Sequence, residues 1–417
     1  MQCTNEPAAA ESTNPAATDT SAGRGGTRPR LGFLAATAAL VAVFAASGAP
    51  IPLYERYRLE DGLTTGDLSV AAVAYFVAVM ITLVVFGRLS DYLGRRVVSL
   101  TAVALAAAGC LVLLNVHGLP TLMAGRVLQG LACGLGSSAI AAYIVDTAPA
   151  RPRWVAATTA AGAPLTGLTV GAVGSGALAE YGPAPEHTSY LAALAILAAA
   201  AVLVLLARPD PVRRKRGVAG SLRPRVSLPA TARRLIPAAI AVFCATWALG
   251  GFYQAFSPTI SAQNLGTGNV LVAGIVFASF MAPYALGGPL TGRLAPRTAQ
   301  RGAIVVFAVA AAGIVLGLQV GAVVVVIVCG IVAGSAQGAA FTATVRALLA
   351  RTGPGERAGL MASVYVFSYG GAAVPSLIAG RLSAALPLAE ISLGYAALAI
   401  VAAFVVLVAR PTGTTDH

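Results

Sequence analysis

One basic residue lies well inside a long apolar segment of this sequence. Arg126 comes about two helical turns after the start of the segment 120–145, and Gln129 follows one turn later on the same face. Burying a guanidinium at membrane depth costs ~2.5–3.5 kcal/mol on insertion scales, and less where the side chain reaches back to the interface. Such a residue either contacts a substrate or a proton, or is structural and extends to the interface. We favour the first interpretation.

Aromatic and amide side chains in later apolar segments form a second group of candidates. Rings with a few polar tips suit an apolar or cationic amphipathic substrate. Such residues also form interfacial belts or ordinary packing contacts, and both explanations stay open. The candidates are Trp247, Tyr253, Gln254, Gln337, Tyr365 and Tyr369.

A charged motif, GRLSDYLGRR, follows the second apolar segment at positions 87–96. Glycine allows close helix approach and tight turns, and a carboxylate four residues before an arginine can pair with it. We predict a charged cluster that latches one side of the protein and breaks when that side opens. The alternative is a set of charges that only holds topology. The predicted latch comprises Gly87, Asp91, Gly94, Arg95, Arg96 and Asp146.

Acidic residues are absent from the middle of every apolar segment. Proton-coupled carriers depend on a buried acid whose pKa burial raises. Asp67, Asp146 and Glu180 lie near segment ends and are the remaining candidates for carrying a proton.

Several other chemistries are excluded. A phosphate-binding loop needs Gly-Lys-Ser/Thr, and the single lysine, Lys215, follows Arg214. The five cysteines show no paired spacing, and no nucleophile-elbow motif occurs. The net charge is +13, but the basic residues lie between apolar segments and do not form a basic helix with interleaved aromatics. The sequence therefore predicts no enzyme, no metal, no cofactor and no nucleic-acid partner.

Twelve apolar segments must position these residues. The chain has 417 residues, of which 57% are hydrophobic and only 10% charged, whereas a soluble domain carries about 25% charged residues. A helix needs ~20 apolar residues to cross a bilayer. We predict an all-α membrane protein with the transmembrane spans 31–53, 68–87, 97–116, 120–145, 154–179, 189–207, 235–257, 268–291, 302–318, 320–349, 358–385 and 390–409.

Basic residues are concentrated in every second connection, and nine lie in or beside the segment 208–234. Basic loops stay cytoplasmic. We therefore expect a multi-pass protein of the plasma membrane with a disordered cytoplasmic tail at 1–30. The linker 208–234 and the tail 411–417 are then cytoplasmic too.

The two halves of the chain, 31–207 and 235–410, resemble each other. GRLAPRTAQR at 292–301 follows the eighth segment as GRLSDYLGRR follows the second, and Gln337-Gly338 corresponds to Gln129-Gly130. Proline occurs at matching places and is expected to bend helices there. We predict two pseudo-symmetric six-helix bundles around a central cavity. The paired prolines are Pro50 with Pro258 and Pro164 with Pro375.

GRLSDYLGRR resembles the loop signature of the major facilitator superfamily, with Gly87, Leu89, Asp91, Gly94, Arg95 and Arg96 in place. Residues 126–130 (RVLQG) likewise resemble the family's fourth-helix motif, linked there to proton transfer or substrate contact. The resemblance covers about residues 31–410 and implies a monomeric secondary transporter that works by alternating access.

The resemblance leaves the direction and the substrate open. Bacterial efflux permeases of this family imply export of drug-like or metabolite molecules, with H⁺ antiport as the energy source. The missing central acid favours an importer or facilitator of a small solute such as a sugar or organic acid. A membrane sensor or scaffold without transport activity is the third hypothesis.

Overall fold

The computed structural model describes residues 28–149, 154–207, 222, 226–353 and 355–409, and these form helices and turns without any strand. The predictions for the N-terminal tail up to residue 27, most of the linker and the tail after residue 409 lie outside the described residues.

Within the described ranges, twelve long helices correspond one to one with the predicted spans. The first bundle contains α1 Arg28–Gly48, α2 Thr65–Phe86, α3 Arg95–Leu113, α4 Leu119–Thr147, α5 Trp154–Tyr181 and α6 Pro185–Leu206. The second contains α7 Ile236–Gln263, α8 Val270–Thr291, α9 Pro296–Gln319, α10 Val323–Leu349, α11 Arg357–Leu382 and α12 Leu388–Val408.

Eleven of these helices are long and apolar enough to cross a membrane, and α5 is the exception within the described ranges. Its 28 residues include five glycines and four threonines, which lower its apolarity but not its length. Three of these glycines lie at close contacts of α5, Gly167 and Gly171 against α1 and Gly176 against the start of α8. The fold is consistent with the predicted twelve-helix arrangement.

Local boundaries differ from the sequence prediction where turn chemistry intervenes. Helix α1 ends at Gly48 instead of 53, and α7 continues through Pro258 to Gln263 instead of ending at 257. Helix α8 is interrupted between Met281 and Tyr284, because Pro283 has no N–H to donate to the preceding turn. Neither this break nor the π-helical turn Gly136–Ile140 inside α4 was predicted.

Small residues let the helices within each bundle approach closely. A Cβ on Gly171 would lie 2.0 Å from the carbonyl oxygen of Ala45, and one on Gly338 would lie 2.0 Å from that of Tyr284. These contacts join α1 to α5 and α8 to α10. Small residues at helix contacts are typical of membrane proteins, because they let the backbones approach closely.

The two bundles contact each other mainly through two helix pairs, α2 with α11 and α5 with α8. Helix α8 is the second helix of its bundle and α11 the fifth. The two pairs are therefore equivalent under the pseudo-twofold relation between the halves. We use "terminal side" for the side where α1 begins and α12 ends, and "opposite side" for the other.

Candidate functional site

A cavity of about 270 Å³ lies between the two bundles. Helices α1, α2, α4 and α5 of the first bundle and α7, α8, α10 and α11 of the second all contribute to its wall. None of its lining residues is charged. They are Phe44, Tyr75, Phe76, Ser137, Ala160, Ala161, Pro164, Leu165, Leu168, Trp247, Gly250, Gly251, Gln254, Met281, Tyr284, Gln337, Phe341, Tyr365, Tyr369 and Ala372.

Aromatic rings connect the bundles across this cavity. Trp247 meets Tyr369 edge to face with ring centroids 4.8 Å apart, and Tyr369 lies 6.4 Å from Phe76 of the first bundle. Phe341 extends the cluster to Trp247 and Tyr284 at 6.2 and 6.0 Å. A solute between the bundles would therefore contact ring faces and edges from both halves.

Two buried polar atoms of lining residues have no hydrogen-bond partner within the described part of the chain. They are the indole Nε1 of Trp247 and the amide Nε2 of Gln254. Gln254 is only 4% exposed. Both are N–H donors, and a buried donor without an acceptor costs ~1–3 kcal/mol, so both are suited to bind an acceptor on a solute.

Arg126 lies behind the aromatic wall and does not extend to the interface. Its guanidinium is completely buried, and its Nη1 donates to Ser47 O and to Gln129 Oε1, both at 2.8 Å. Gln129 Nε2 donates to Ala46 O at 2.8 Å. Both acceptor carbonyls belong to the last turn of α1, which leaves its carbonyls without intrahelical donors. Arg126 and Gln129 therefore cap α1 at its negative end.

The same guanidinium lies over the ring of Tyr75, 4.3 Å from the ring centroid. Tyr75 also lines the cavity, so a positive charge lies next to that part of the wall. The predicted pair Arg126–Gln129 is thus one layer away from the cavity and supports it.

The bundles are in close contact on the opposite side. A Cβ on Gly274 of α8 would lie 2.7 Å from the carbonyl oxygen of Ala172 of α5. A Cβ on Gly66 at the start of α2 would lie 3.1 Å from the carbonyl oxygen of Gly380 near the end of α11. On all four helices the cavity residues lie farther toward the terminal side than these contacts.

A hydrogen bond joins the two bundles at this closed side. Glu180 Oε2 accepts from the backbone N–H of Val270 at 2.9 Å. Val270 is the first residue of α8, and Asn269 caps the same helix by accepting from Val272 N. A carboxylate here interacts favourably with the helix N-terminus.

A second cavity, of about 220 Å³, lies on the opposite side between the short helix Tyr54–Glu60 and the connection from α7 to α8. Arg58 binds Glu55 there at 2.6 Å, and this hydrogen bonding raises the pKa of the guanidinium. Partial burial, followed by the charge of Glu60, raises the pKa of Asp61. Arg56 likewise pairs with Glu60 of the same short helix, at 2.9 Å.

The predicted latch forms a cluster within the first bundle. Arg95 binds Asp91 at 2.8 Å and Asp146 at 3.1 Å, and so links α3 to the end of α4. Gly94 has φ of 95°, which a residue with a Cβ adopts only under strain. Arg96 donates to the carbonyl of Leu205 at the end of α6. Gly87 terminates α2.

The three candidates for proton transfer all hold helix ends rather than line the central cavity. Asp67 forms a capping box with Thr64 at the start of α2, Asp146 pairs with Arg95, and Glu180 caps α8. No lining residue of the central cavity is acidic.

The structure brings together some of the predicted site residues and separates others. Trp247, Gln254, Gln337, Tyr365 and Tyr369 all line the cavity. Tyr253 faces the core of the second bundle, where its ring stacks on Phe280 at 4.9 Å. Sequence reasoning missed the lining aromatics, since nothing distinguishes them from packing rings within an apolar segment: Phe44, Tyr75, Phe76, Tyr284 and Phe341.

Of the four predicted bending prolines, Pro164, Pro258 and Pro375 lie inside helices. Pro50 instead lies in the turn after α1, because that helix already ends at Gly48. The prediction for Pro50 was therefore wrong. The bending role of the other three stays a prediction, and Pro164 also lines the cavity.

Three comparisons place this geometry among known proteins. The family profile described as Major Facilitator Superfamily matches residues 31–324. The fold also matches a crystal structure of a mutant of the nucleoside transporter NupG, with a TM-score of 0.70 and 14% identity, over 91% of this chain and 100% of that one.

The relatives found by sequence match only short stretches. The Quinolone resistance protein NorA of Staphylococcus aureus (strain MRSA252) is 26% identical over 111 residues, which are 27% of this chain and 29% of NorA. The Proton myo-inositol cotransporter hmit-1.1 of Caenorhabditis elegans is 42% identical over 67 residues, 16% of this chain and 11% of that protein.

Proposed function

The chain belongs to the major facilitator superfamily of membrane transporters, and we propose that it exports small aromatic molecules from the cytoplasm by alternating access. The observation that carries this proposal is the uncharged aromatic cavity shared by both bundles. A solute held there contacts α2 and α11 as well as α5 and α8, which are the helices that join the bundles. Rocking one bundle against the other would change the side from which the solute is accessible.

The terminal side is the proposed cytoplasmic side. Arg95 and Arg96 lie there, with further arginines after α8 and around the connection from α10 to α11. The structure then corresponds to a state closed toward the outside, with both termini inside and the cavity on the cytoplasmic side of the closed contact. Loading from the cytoplasm would begin from this state.

Export driven by an H⁺ gradient is the proposed mode. The similarity to NorA, described as a quinolone resistance protein, supports export. Glu180 offers a connection to protons, because protonation would remove the charge that caps α8 across the closed side. Asp67 and Asp146 are the other proposed proton carriers.

An importer or facilitator of a small solute is the second candidate. The absence of acids from the cavity lining favours it, as does the short similarity to a proton myo-inositol cotransporter. The two candidates differ in driving force and in direction, so one flux experiment separates them.

The decisive experiment measures saturable uptake into inverted membrane vesicles from a panel of neutral, cationic and anionic fluorescent aromatic compounds. Gly250→Leu would fill the cavity, since Gly250 lines it and has room for a Cβ. Gly394→Leu is the matched control, because that glycine is exposed on α12 and has no neighbour around a Cβ.

For H⁺-driven export we expect concentrative uptake that a protonophore abolishes, that Gly250→Leu eliminates and that Gly394→Leu retains. Flux that only equilibrates the compound and ignores the protonophore would move the assignment to a facilitator. The proposal that the cavity is a transport site would be overturned by equal flux in the wild type and Gly250→Leu. Absence of flux in both proteins for every compound of the panel would overturn it too.

A further inference from the structure

We infer that the central cavity selects uncharged, planar aromatic solutes carrying hydrogen-bond acceptors, and that Trp247 and Gln254 donate to those acceptors. The inference rests on the proposed function, in that the central cavity is taken as the substrate site. It adds a substrate class and the two residues that define it.

The two donors lie on one face of one helix. Trp247 and Gln254 are seven residues apart on α7, which places them two turns and roughly 10 Å apart along the helix axis. Trp247 Nε1 and Gln254 Nε2 both lack partners within the described residues, although both atoms are buried. This separation is comparable with the length of three fused aromatic rings. A solute of that shape with acceptors along one edge would satisfy both donors.

The rest of the wall suits a ring system. Trp247 already meets Tyr369 edge to face, and Phe76 and Phe341 continue the aromatic surface on either side. Aromatic pairs in offset or edge-to-face geometry attract each other beyond the area that they bury. Gln337, which also lines the cavity, offers a further amide.

The charge distribution disfavours cations. A cation in the cavity would lose its hydration without gaining an acidic partner, because no lining residue is acidic. The buried guanidinium of Arg126 already occupies one side of the Tyr75 ring, at 4.3 Å from its centroid. Its positive charge would repel a second cation on the cavity side of the ring. Cation–π attraction to the remaining rings would have to overcome both the loss of hydration and the repulsion by Arg126.

The test compares two fluorescent tricyclic probes of similar shape on the full-length protein in lipid nanodiscs. Acridone is uncharged and carries a carbonyl acceptor, whereas proflavine is a cation at neutral pH and its ring amino groups are donors. We expect the wild type to bind acridone at least about tenfold more tightly than proflavine. The proflavine cation finds no acidic partner in the cavity, and a hydrogen bond to a charged group is worth about that factor in affinity.

Three variants test the donors. Gln254→Leu and Trp247→Phe each remove one N–H. Because acridone has a single carbonyl acceptor, at least one of these two variants should weaken acridone binding about three- to tenfold. Gln254→Glu keeps the shape but replaces the donor with a carboxylate, and should weaken acridone binding while strengthening proflavine binding. Tyr253→Phe is the control, since the adjacent Tyr253 also has a buried hydroxyl without a partner but does not line the cavity. It should leave binding of both probes unchanged.

The outcomes separate this inference from the proposed function. Proflavine binding as tight as that of acridone, absence of acridone binding, or acridone binding unaffected by both Gln254→Leu and Trp247→Phe would overturn the inference. If vesicles then transport cations and Gly250→Leu blocks that transport, the proposed function is supported although the substrate inference is refuted. Acridone that binds with the expected variant pattern but is never transported would support the inference about the cavity and refute the transport proposal.

Discussion

The carboxylate of Glu180, in the last turn of α5, accepts a hydrogen bond from the backbone N–H of Val270, the first residue of α8, at 2.9 Å. One bundle thereby caps a helix of the other. The contact lies beside the tight approach of Gly274 to Ala172. Backbone packing and a charged cap therefore act together on the closed side.

Glu180→Gln should loosen the closed side. The amide still accepts a hydrogen bond, but the negative charge at the N-terminus of α8 is lost, at a cost of about 1 kcal/mol. We expect roughly fivefold faster maleimide labelling of Ala273→Cys, a position only 4% exposed in the closed contact. The background lacks the native cysteines. Glu390→Gln, which alters a first-turn acid of α12, is the control, and equal labelling in both variants would contradict the prediction.

Gly274→Ala should push the bundles apart on the same side. The new Cβ would stand 2.7 Å from a backbone oxygen of Ala172, and no side-chain rotation relieves that contact. Spin labels at Leu59 and Gly268, two exposed residues that line the second cavity from different bundles, should show a longer or bimodal distance distribution. Gly394→Ala adds the same methyl group without a neighbour and should leave the distribution unchanged. A single unshifted distance in Gly274→Ala would rule out the proposed tight contact.

Arg126→Lys should destabilise the protein although it keeps the charge. The ammonium cannot donate to Ser47 O and Gln129 Oε1 while covering the Tyr75 ring with a planar group. A buried acceptor that loses its hydrogen-bond donor costs ~1–3 kcal/mol. The midpoint of thermal unfolding in detergent should therefore fall by several degrees. Arg381→Lys changes an exposed arginine at the end of α11 and should have no effect. A wild-type midpoint for Arg126→Lys would refute the capping role.

The Arg95 cluster should matter for transport more than for stability. Its side chains are 16–32% exposed, and partly exposed ion pairs contribute only ~0.2–1 kcal/mol to stability. If the cluster is a latch, Asp91→Asn and Asp146→Asn should each lower the transport rate about tenfold with little change in the unfolding midpoint. Glu55→Gln breaks a comparable pair with Arg58 on the opposite side and should spare transport. If the transport rates of these variants fall only in proportion to their loss of stability, the cluster has a structural role and is not a latch.

Much of the fold could be predicted from the sequence, because lipid imposes a length and a composition on every span. Errors arose where a single residue changes the backbone. Pro283 interrupts α8, and α1 ends before Pro50, where Arg126 and Gln129 of another helix cap its last carbonyls. Neither effect is visible in hydropathy.

The candidate site could be predicted only in part. Gln254 and Tyr369 line the cavity as expected, but Tyr253, next to Gln254, faces the core of its own bundle. Adjacent helix positions differ by about 100° in direction, so the choice depends on where the neighbouring helices lie.

By itself, the sequence determined the all-α membrane architecture and the order of the apolar segments, because hydrophobic length and composition are local properties of the chain. Only the tertiary structure decided that Arg126 stands behind Tyr75, that the cavity lining carries no charge, and that Glu180 reaches Val270. These relationships join residues distant along the chain. They depend on which helix faces meet, and in a membrane close side-chain packing rather than hydropathy selects those faces.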